Sequence, residues 1–333
     1  MHPLSEDPRE SVSLLGESRL IHQISKWLGD VCPKSPHGIG DDCAVLPVQG
    51  NADWLVTTDP VVFGRHFDES LPPRKVGAKL LLRNLSDIAA MGGTPAAAVV
   101  SLALPPQTSV TWLKGFYIGL ASVARRFKVR IIGGDITRCD GALAAHLTLM
   151  GRTTAGRALT RTGARNHDVI LVTGPLGGSI LGKHASFRPR LEEGAWLAAR
   201  PEVHACMDIS DGLAKDLPAL IPAGHVAYVD SEMVPVSRAA RKLAARTGSP
   251  ALHHALTDGE DYELLLCVSG DPKDLGRLSE AYRKRFNTQL HLIGAVHLPK
   301  HKKADHPVES IGGDLDWSKL GGYEHFRETS QGR

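Results

Sequence analysis

Acids beside glycine, serine or threonine recur along this chain: Asp41 and Asp42 in GIGDDCAVL, Asp59 in VTTDP, Asp87 in NLSDIAAMGGTP, Asp135 in GGDITR, and Asp208 and Asp211 in MDISDG. Singly, each reads as a turn residue whose carboxylate bonds nearby backbone amides. As a set they are the hard oxygen donors that Mg²⁺ takes, a few per ion, with phosphate and water completing the octahedron. Thr57 and Thr58 add hydroxyls next to Asp59. Asp87 interrupts an apolar run, Val76, Leu80, Leu81, Leu85, Ile88, Ala89 and Met91, that recurs at helical intervals. A carboxylate on such a helix must be paired with an arginine, hydrogen-bonded or metal-bound. Asp41 and Asp42 repel each other, which predicts a positive group nearby.

Other chemistries find less support. There is no HExxH, GxSxG or GxxxxGK[ST]. The nearest approach to the last, Gly177 to His184, ends in His where a hydroxyl should meet the metal, and GPLGGSILG does not match GxGxxG. Most of the sixteen histidines are isolated, and His253-His254 reads as a solvated pair. His66 stands out only by following Thr57-Thr58-Asp59 closely.

The elements that must position these residues alternate between helix and strand, so the class is mixed α and β. Helices are predicted over 16–29, 74–93, 112–127 and 237–246, from Leu213 onward, and within 186–199. Strands are predicted over 44–46, 54–56, 96–105, 129–132, 142–150, 168–172 and 226–229, with one entered after GEDYE. Thr57-Thr58-Asp59 then stands at a strand end, and Gly133-Gly134-Asp135 reads as a glycine turn carrying an acid. The polar, Arg-rich stretch 151–163 reads as a junction, giving domains of 1–152 and 153–333.

A chain of 333 residues with 42% hydrophobic and 23% charged residues has the composition of a globular protein with two cores. Its formal charge of +3 is scattered, which argues against a nucleic-acid partner. The five cysteines form no CxxC pair, which argues against a disulfide framework or a thiolate zinc site and predicts a reducing cytoplasm. No run reaches the ~18 apolar residues of a membrane span, and the first residues lack the apolar core of a signal peptide.

The segments GIGDDCAVL, TTDPVVFGRHF, VGAKLLLRNLSDIAAMGGTP, GGDITR, RALTRTGA, MDISDGLAKDL, DGEDYEL and GGYEHF occur in that order from Gly38 to Phe326. Together they resemble the thiamine-monophosphate kinase family, part of the superfamily that includes aminoimidazole ribonucleotide synthetase. NLSDIAAMGG and ISDG point to the superfamily, and TTDPVVFGRHF, GEDYEL and GYEHF to the thiamine kinase. The resemblance implies a two-domain, mixed α+β and α/β fold like that of aminoimidazole ribonucleotide synthetase. Its N-terminal domain would pair its sheet in a homodimer, and its C-terminal α/β domain would complete the active site. ATP, as co-substrate with several Mg²⁺ ions, would phosphorylate thiamine monophosphate to thiamine diphosphate.

Carried over position by position, the resemblance implies Asp41, Asp42, Thr57, Thr58, Asp59, Asp87, Asp135, Asp208 and Asp211 as metal ligands. Of these, Asp42, Asp87, Asp135 and Asp211 would carry catalysis. ATP contacts would be Gly134, Asp135, Arg161 and Ser210, and substrate contacts His66, Glu260 and Tyr323. The chain departs from the family pattern at Gly178 (usually an acid), Asp258 (commonly Gly), Ile136 (usually Thr) and in a shortened 183–200 segment. The alternatives are another ATP-using member of the superfamily, such as a ligase or selenophosphate synthetase, and a non-catalytic nucleotide-binding relative.

Overall fold

The computed structural model describes residues 12, 16–48, 50, 52–299, 306–311 and 315–323. The first half runs α1 (Glu17–Leu28), β1 (Ala44–Leu46), β2 (Trp54–Val62), α2 (Pro73–Ala90), β3 (Gly93–Leu104), α3 (Val110–Arg126), β4 (Arg130–Arg138) and β5 (Ala144–Thr153). Its sheet has the order β1-β2-β5-β3-β4. All neighbours are antiparallel except β3 and β4, which α3 connects as the crossover that a parallel pair requires.

The second half runs β6 (Val169–Val172), α4 (Leu191–Ala198), β7 (Val203–Asp208), α5 (Leu213–Leu220), β8 (Val226–Val229), α6 (Arg238–Thr247), α7 (Ala251–Thr257), β9 (Leu264–Val268), α8 (Pro272–Phe286), β10 (His291–His297) and β11 (Val308–Ser310). Its sheet has the order β11-β8-β10-β6-β9-β7. Leu213, Leu217 and Leu256 pack on one face of this sheet, and Leu197, Leu278 and Tyr282 on the other.

Helix α2 joins the two cores. Pro73 starts it without wasting a donor, and Gly92 at φ 68° turns the chain out of it. Leu80, Leu81, Leu85 and Ile88 are sealed against the side chains that β2, β3 and β5 present by alternation, among them Leu55, Val61, Val100, Leu102, Leu147 and Leu149. At its C-terminal end Ala89 and Ala90 join Cys206, Leu264 and Leu266 of the second sheet. A helix enclosed on both sides is buried over most of its surface, and its buried residues include Lys79, Asn84 and Ser86 beside the apolar ones. The opposite face of the first sheet, carrying Thr58, Val99, Ser101 and His146, is exposed.

Three expectations are corrected. Strand β2 continues through Thr57-Thr58-Asp59 to Val62, paired with β5 throughout. Gly133-Gly134-Asp135 is not a turn but lies inside β4, paired with Val99, Val100 and Ser101. Strand β5 reaches Thr153 and so takes in the start of the expected junction. In each case the hydrogen bonds of a neighbouring strand override a local breaker signal. Among the described residues, no helix is long and apolar enough to cross a membrane.

Helices α2 and α3 touch through glycine. A Cβ on Gly77 would lie 1.9 Å from the Phe116 carbonyl oxygen. Gly77→Val should therefore force the helices apart and lower stability by about 1–3 kcal/mol, read as a reduced denaturant midpoint with an unchanged slope.

Candidate active site

Along α2, Lys79, Arg83, Ser86 and Asp87 recur at helical spacing on one stripe. Lys79 is 1% exposed, and its ammonium donates to Glu260 Oε2 at 3.0 Å and to the His66 carbonyl at 2.9 Å, with Oε1 at 2.7 Å. Arg83 donates to the Pro60 carbonyl at 2.9 Å and to Asp59 at 3.3 Å. Ser86 donates to Asp208, and Asp87 accepts from Thr57. One helix thus holds β2, the loop after it, the end of β7 and the turn before β9. Sequence reasoning found Asp87 and missed Lys79, Arg83 and Ser86. The available signal was polar residues repeating at helical spacing inside an apolar helix.

Carboxylate oxygens of Asp42, Asp87 and Asp208 lie within 4.8 Å of one another. The positive group expected beside Asp41-Asp42 is Arg161: its guanidinium pairs with Asp42 at 2.5 Å, and its backbone amide donates to both Asp41 oxygens at 3.2 Å. Burial, then the Asp42 charge, pushes Asp41 up to about 7. The same two causes push Asp208 up to about 7. Burial and then the charges of Asp59 and Asp208 raise Asp87 well above the usual carboxylate range. Asp42 Oδ2 is buried without a partner. Desolvated oxygen donors this close, one of them unpartnered, fit a hard divalent cation.

Beside this cluster is a crevice of about 90 Å³ lined by Arg65, His66 and Arg83 from the first half and Ser210, Asp211, Asp258, Glu260, Tyr262 and Tyr323 from the second. All three expected substrate residues are among them. Glu260 and Tyr262 have φ of 52° and 50°, a left-handed conformation costing roughly 1–3 kcal/mol at a non-glycine residue. Surrounding bonds impose it. The Glu260 and Tyr262 amides donate to the carbonyls of Ser210 at 2.7 Å and Ile209 at 2.8 Å, and Asp261 accepts from Gly177 N. Glu263 is held by Thr173, Lys183 and Arg190. Ser210 and Asp211 donate their amides to Asp216 at 3.0 Å, while Lys215 ties Asp211 to the Tyr323 carbonyl. Of the C-terminal GYEHF motif, residues 324–326 lie outside the described residues.

Two departures from the family pattern meet here: Asp258 accepts from Gly178 N at 2.7 Å. Asp258 is also bonded by His254, which is buried and reaches Thr247 with its other nitrogen. The expectation of a solvated His253-His254 pair is corrected for His254, because α7 turns it inward.

Thr58 and Asp135 are not brought to the acid cluster. Alternation along β2 puts Thr58 on the opposite face from Thr57, where it donates to the Leu147 carbonyl at 3.2 Å and accepts from Thr148. Asp135, paired with Ser101, lies on that same face of the exposed strand β4, next to Gly134.

The model of the family described as AIR synthase related protein, N-terminal domain, matches residues 40–153. A thiamine-monophosphate kinase of Rhodopirellula baltica is 39% identical over 246 residues, covering 71% of this chain and 77% of the relative. Among solved structures, AaThiL complexed with AMPPCP and TMP superposes with a TM-score of 0.75 at 28% identity, covering 96% of this chain and all of that one. The thiamine monophosphate kinase from Aquifex aeolicus gives 0.72 at 28% identity, covering 89% of this chain and 97% of that one.

The acid cluster has a pH signature. Asp41, Asp208 and Asp261 lie near 7 in the folded chain, against an ordinary value of 3.8. Folded protein therefore binds more protons than unfolded between about pH 4 and 7, and stability falls as pH rises through that window. Asp41 and Asp208 face the cluster. Melting the protein from pH 5 to 8.5 with chelator or with Mg²⁺ should show a metal-induced rise in Tm that grows with pH. An equal rise at every pH would remove these acids from the metal site.

Proposed function

Because the chain belongs to the thiamine-monophosphate kinase family, we propose that it transfers the γ-phosphoryl group of ATP to the phosphate of thiamine monophosphate, giving thiamine diphosphate and ADP. The observation that carries this reading is the meeting of Asp42, Asp87 and Asp208, drawn from both halves, beside a crevice lined by His66, Glu260 and Tyr323. A relative of the same fold binds AMPPCP, an ATP analogue, together with TMP.

The acceptor is a phosphate oxygen, anionic at neutral pH, so the reaction needs no general base. Its difficulty is bringing two polyanions into line. Asp42, Asp87 and Asp208 would hold Mg²⁺, with Asp41, Thr57, Asp59 and Asp211 nearby, and the metal would supply charge neutralisation at the phosphates. Arg161 orients Asp42, and Ser86 and Thr57 orient Asp208 and Asp87. Glu260 complements the positive thiazolium ring, and Tyr323 offers it a π face worth about 0.5–2 kcal/mol.

The homodimer reading is supported by β4, exposed along its length and carrying Ile131, Ile132 and Ile136, and by the exposed face beside it. Thr58 and Asp135 would then stand at the interface. Five free cysteines support a reducing, cytoplasmic setting.

Purified protein with ATP and Mg²⁺ should convert thiamine monophosphate to thiamine diphosphate and leave free thiamine untouched. ATP binding without turnover of the monophosphate would falsify the assignment in favour of another superfamily reaction. Asp87→Asn should abolish turnover while keeping a cooperative melt, and unchanged turnover in that variant would place Asp87 outside the chemistry.

A further inference from the structure

The crevice contains a guanidinium with unmet donors. Arg83 is 13% exposed and lines the crevice with His66, Ser210, Glu260 and Tyr323. It donates at 2.9 Å to the Pro60 carbonyl and at 3.3 Å to Asp59, the latter long for a charge-assisted bond. Its Nε is buried and has no partner. A guanidinium carries five N–H donors, and a buried donor left unmet is unfavourable until a ligand supplies an acceptor.

The neighbouring cations are placed differently. Lys79 is engaged by the Glu260 carboxylate and the His66 carbonyl. Arg65 is exposed at the crevice mouth. The other charged groups lining the crevice, Asp211, Asp258 and Glu260, are acids already bonded to Lys215, His254 and Lys79, and they offer a phosphate no donor. Arg83 therefore supplies the buried positive charge of this crevice, in the planar fork that matches phosphate oxygens.

Resting on the kinase reading above, we propose that Arg83 is the specificity-determining residue for the acceptor. Its free N–H groups receive the phosphate the acceptor already carries, selecting a phosphomonoester dianion over the corresponding neutral alcohol. Glu260, held in place by Lys79, faces the cationic ring of the same molecule.

Steady-state kinetics at saturating ATP test this assignment. Arg83→Gln should raise KM for thiamine monophosphate about tenfold or more, equivalent to about 1.4 kcal/mol, with KM for ATP held within about twofold. Arg83→Lys, which restores charge without the fork, should recover part of the loss, and added guanidinium should partly rescue Arg83→Ala. An unchanged KM for the monophosphate in Arg83→Gln, with or without a lower Tm, would make Arg83 only the structural partner of Asp59. If Arg83→Gln fails to fold, Arg83→Lys with a wild-type KM overturns the inference equally. Wild-type protein inactive on the monophosphate overturns the kinase reading itself, whereas active wild type with an indifferent variant overturns this inference alone.

Discussion

Repulsion among desolvated carboxylates is the constraint on which this structure depends. Asp42, Asp87 and Asp208 are closer together than like charges tolerate without compensation. Each is fixed by a neighbour that does not neutralise the set: Ser86 bonds Asp208, Thr57 bonds Asp87, and Arg161 brings a full charge to Asp42. Side chains free to swing would move apart or take up protons. Burial of α2 between two sheets prevents the first, and the raised proton affinities of Asp87 and Asp208 record the tendency toward the second. The rigid apolar packing around α2 is therefore part of the site, because it holds the acids in an arrangement that favours binding a cation.

The same helix organises the crevice. Lys79 reaches Glu260 across 181 positions of sequence, so the strained turn before β9 is referred to the same axis as the acids. Left-handed φ at Glu260 and Tyr262 is tolerated because Ser210, Ile209 and Gly177 fix the adjacent backbone. The Gly178–Asp258 contact shows how two departures from a family pattern can depend on each other: an acid on one side of the contact bonds the backbone amide on the other.

Much of this was legible in the sequence, for reasons that differ by residue. Asp87 could be read because a carboxylate on an apolar helical run needs compensation wherever the helix lies. A cation beside Asp41-Asp42 could be expected, but its identity depended on Arg161, 119 positions away from Asp42. Lys79 and Arg83 look like ordinary helix cations in sequence, and only tertiary partners remote from them, Glu260 and the His66 carbonyl for one and Asp59 and the Pro60 carbonyl for the other, show them to be buried and bonded. Thr57 and Thr58 are adjacent and chemically alike, so no spacing argument separates the one facing Asp87 from the one facing outward. Strand alternation does so only once the register is known. Helix α8 is absent from the predicted helices, although Asp271 caps the amides of Lys273 and Asp274 and Asn287 closes it in the left-handed region, and its place over β9 follows only from the tertiary core.

The crevice of about 90 Å³ is smaller than the roughly 300–1,000 Å³ of pockets that enclose small organic ligands. Its walls belong to different halves of the chain. Asp208 stands with the second half, and Asp42 and Asp87 with the first. The spacing of the two halves therefore sets both the width of the crevice and the distances within the carboxylate trio. One packed element, α2 between the two sheets, thus holds a cleft and a charge cluster in register at the same time.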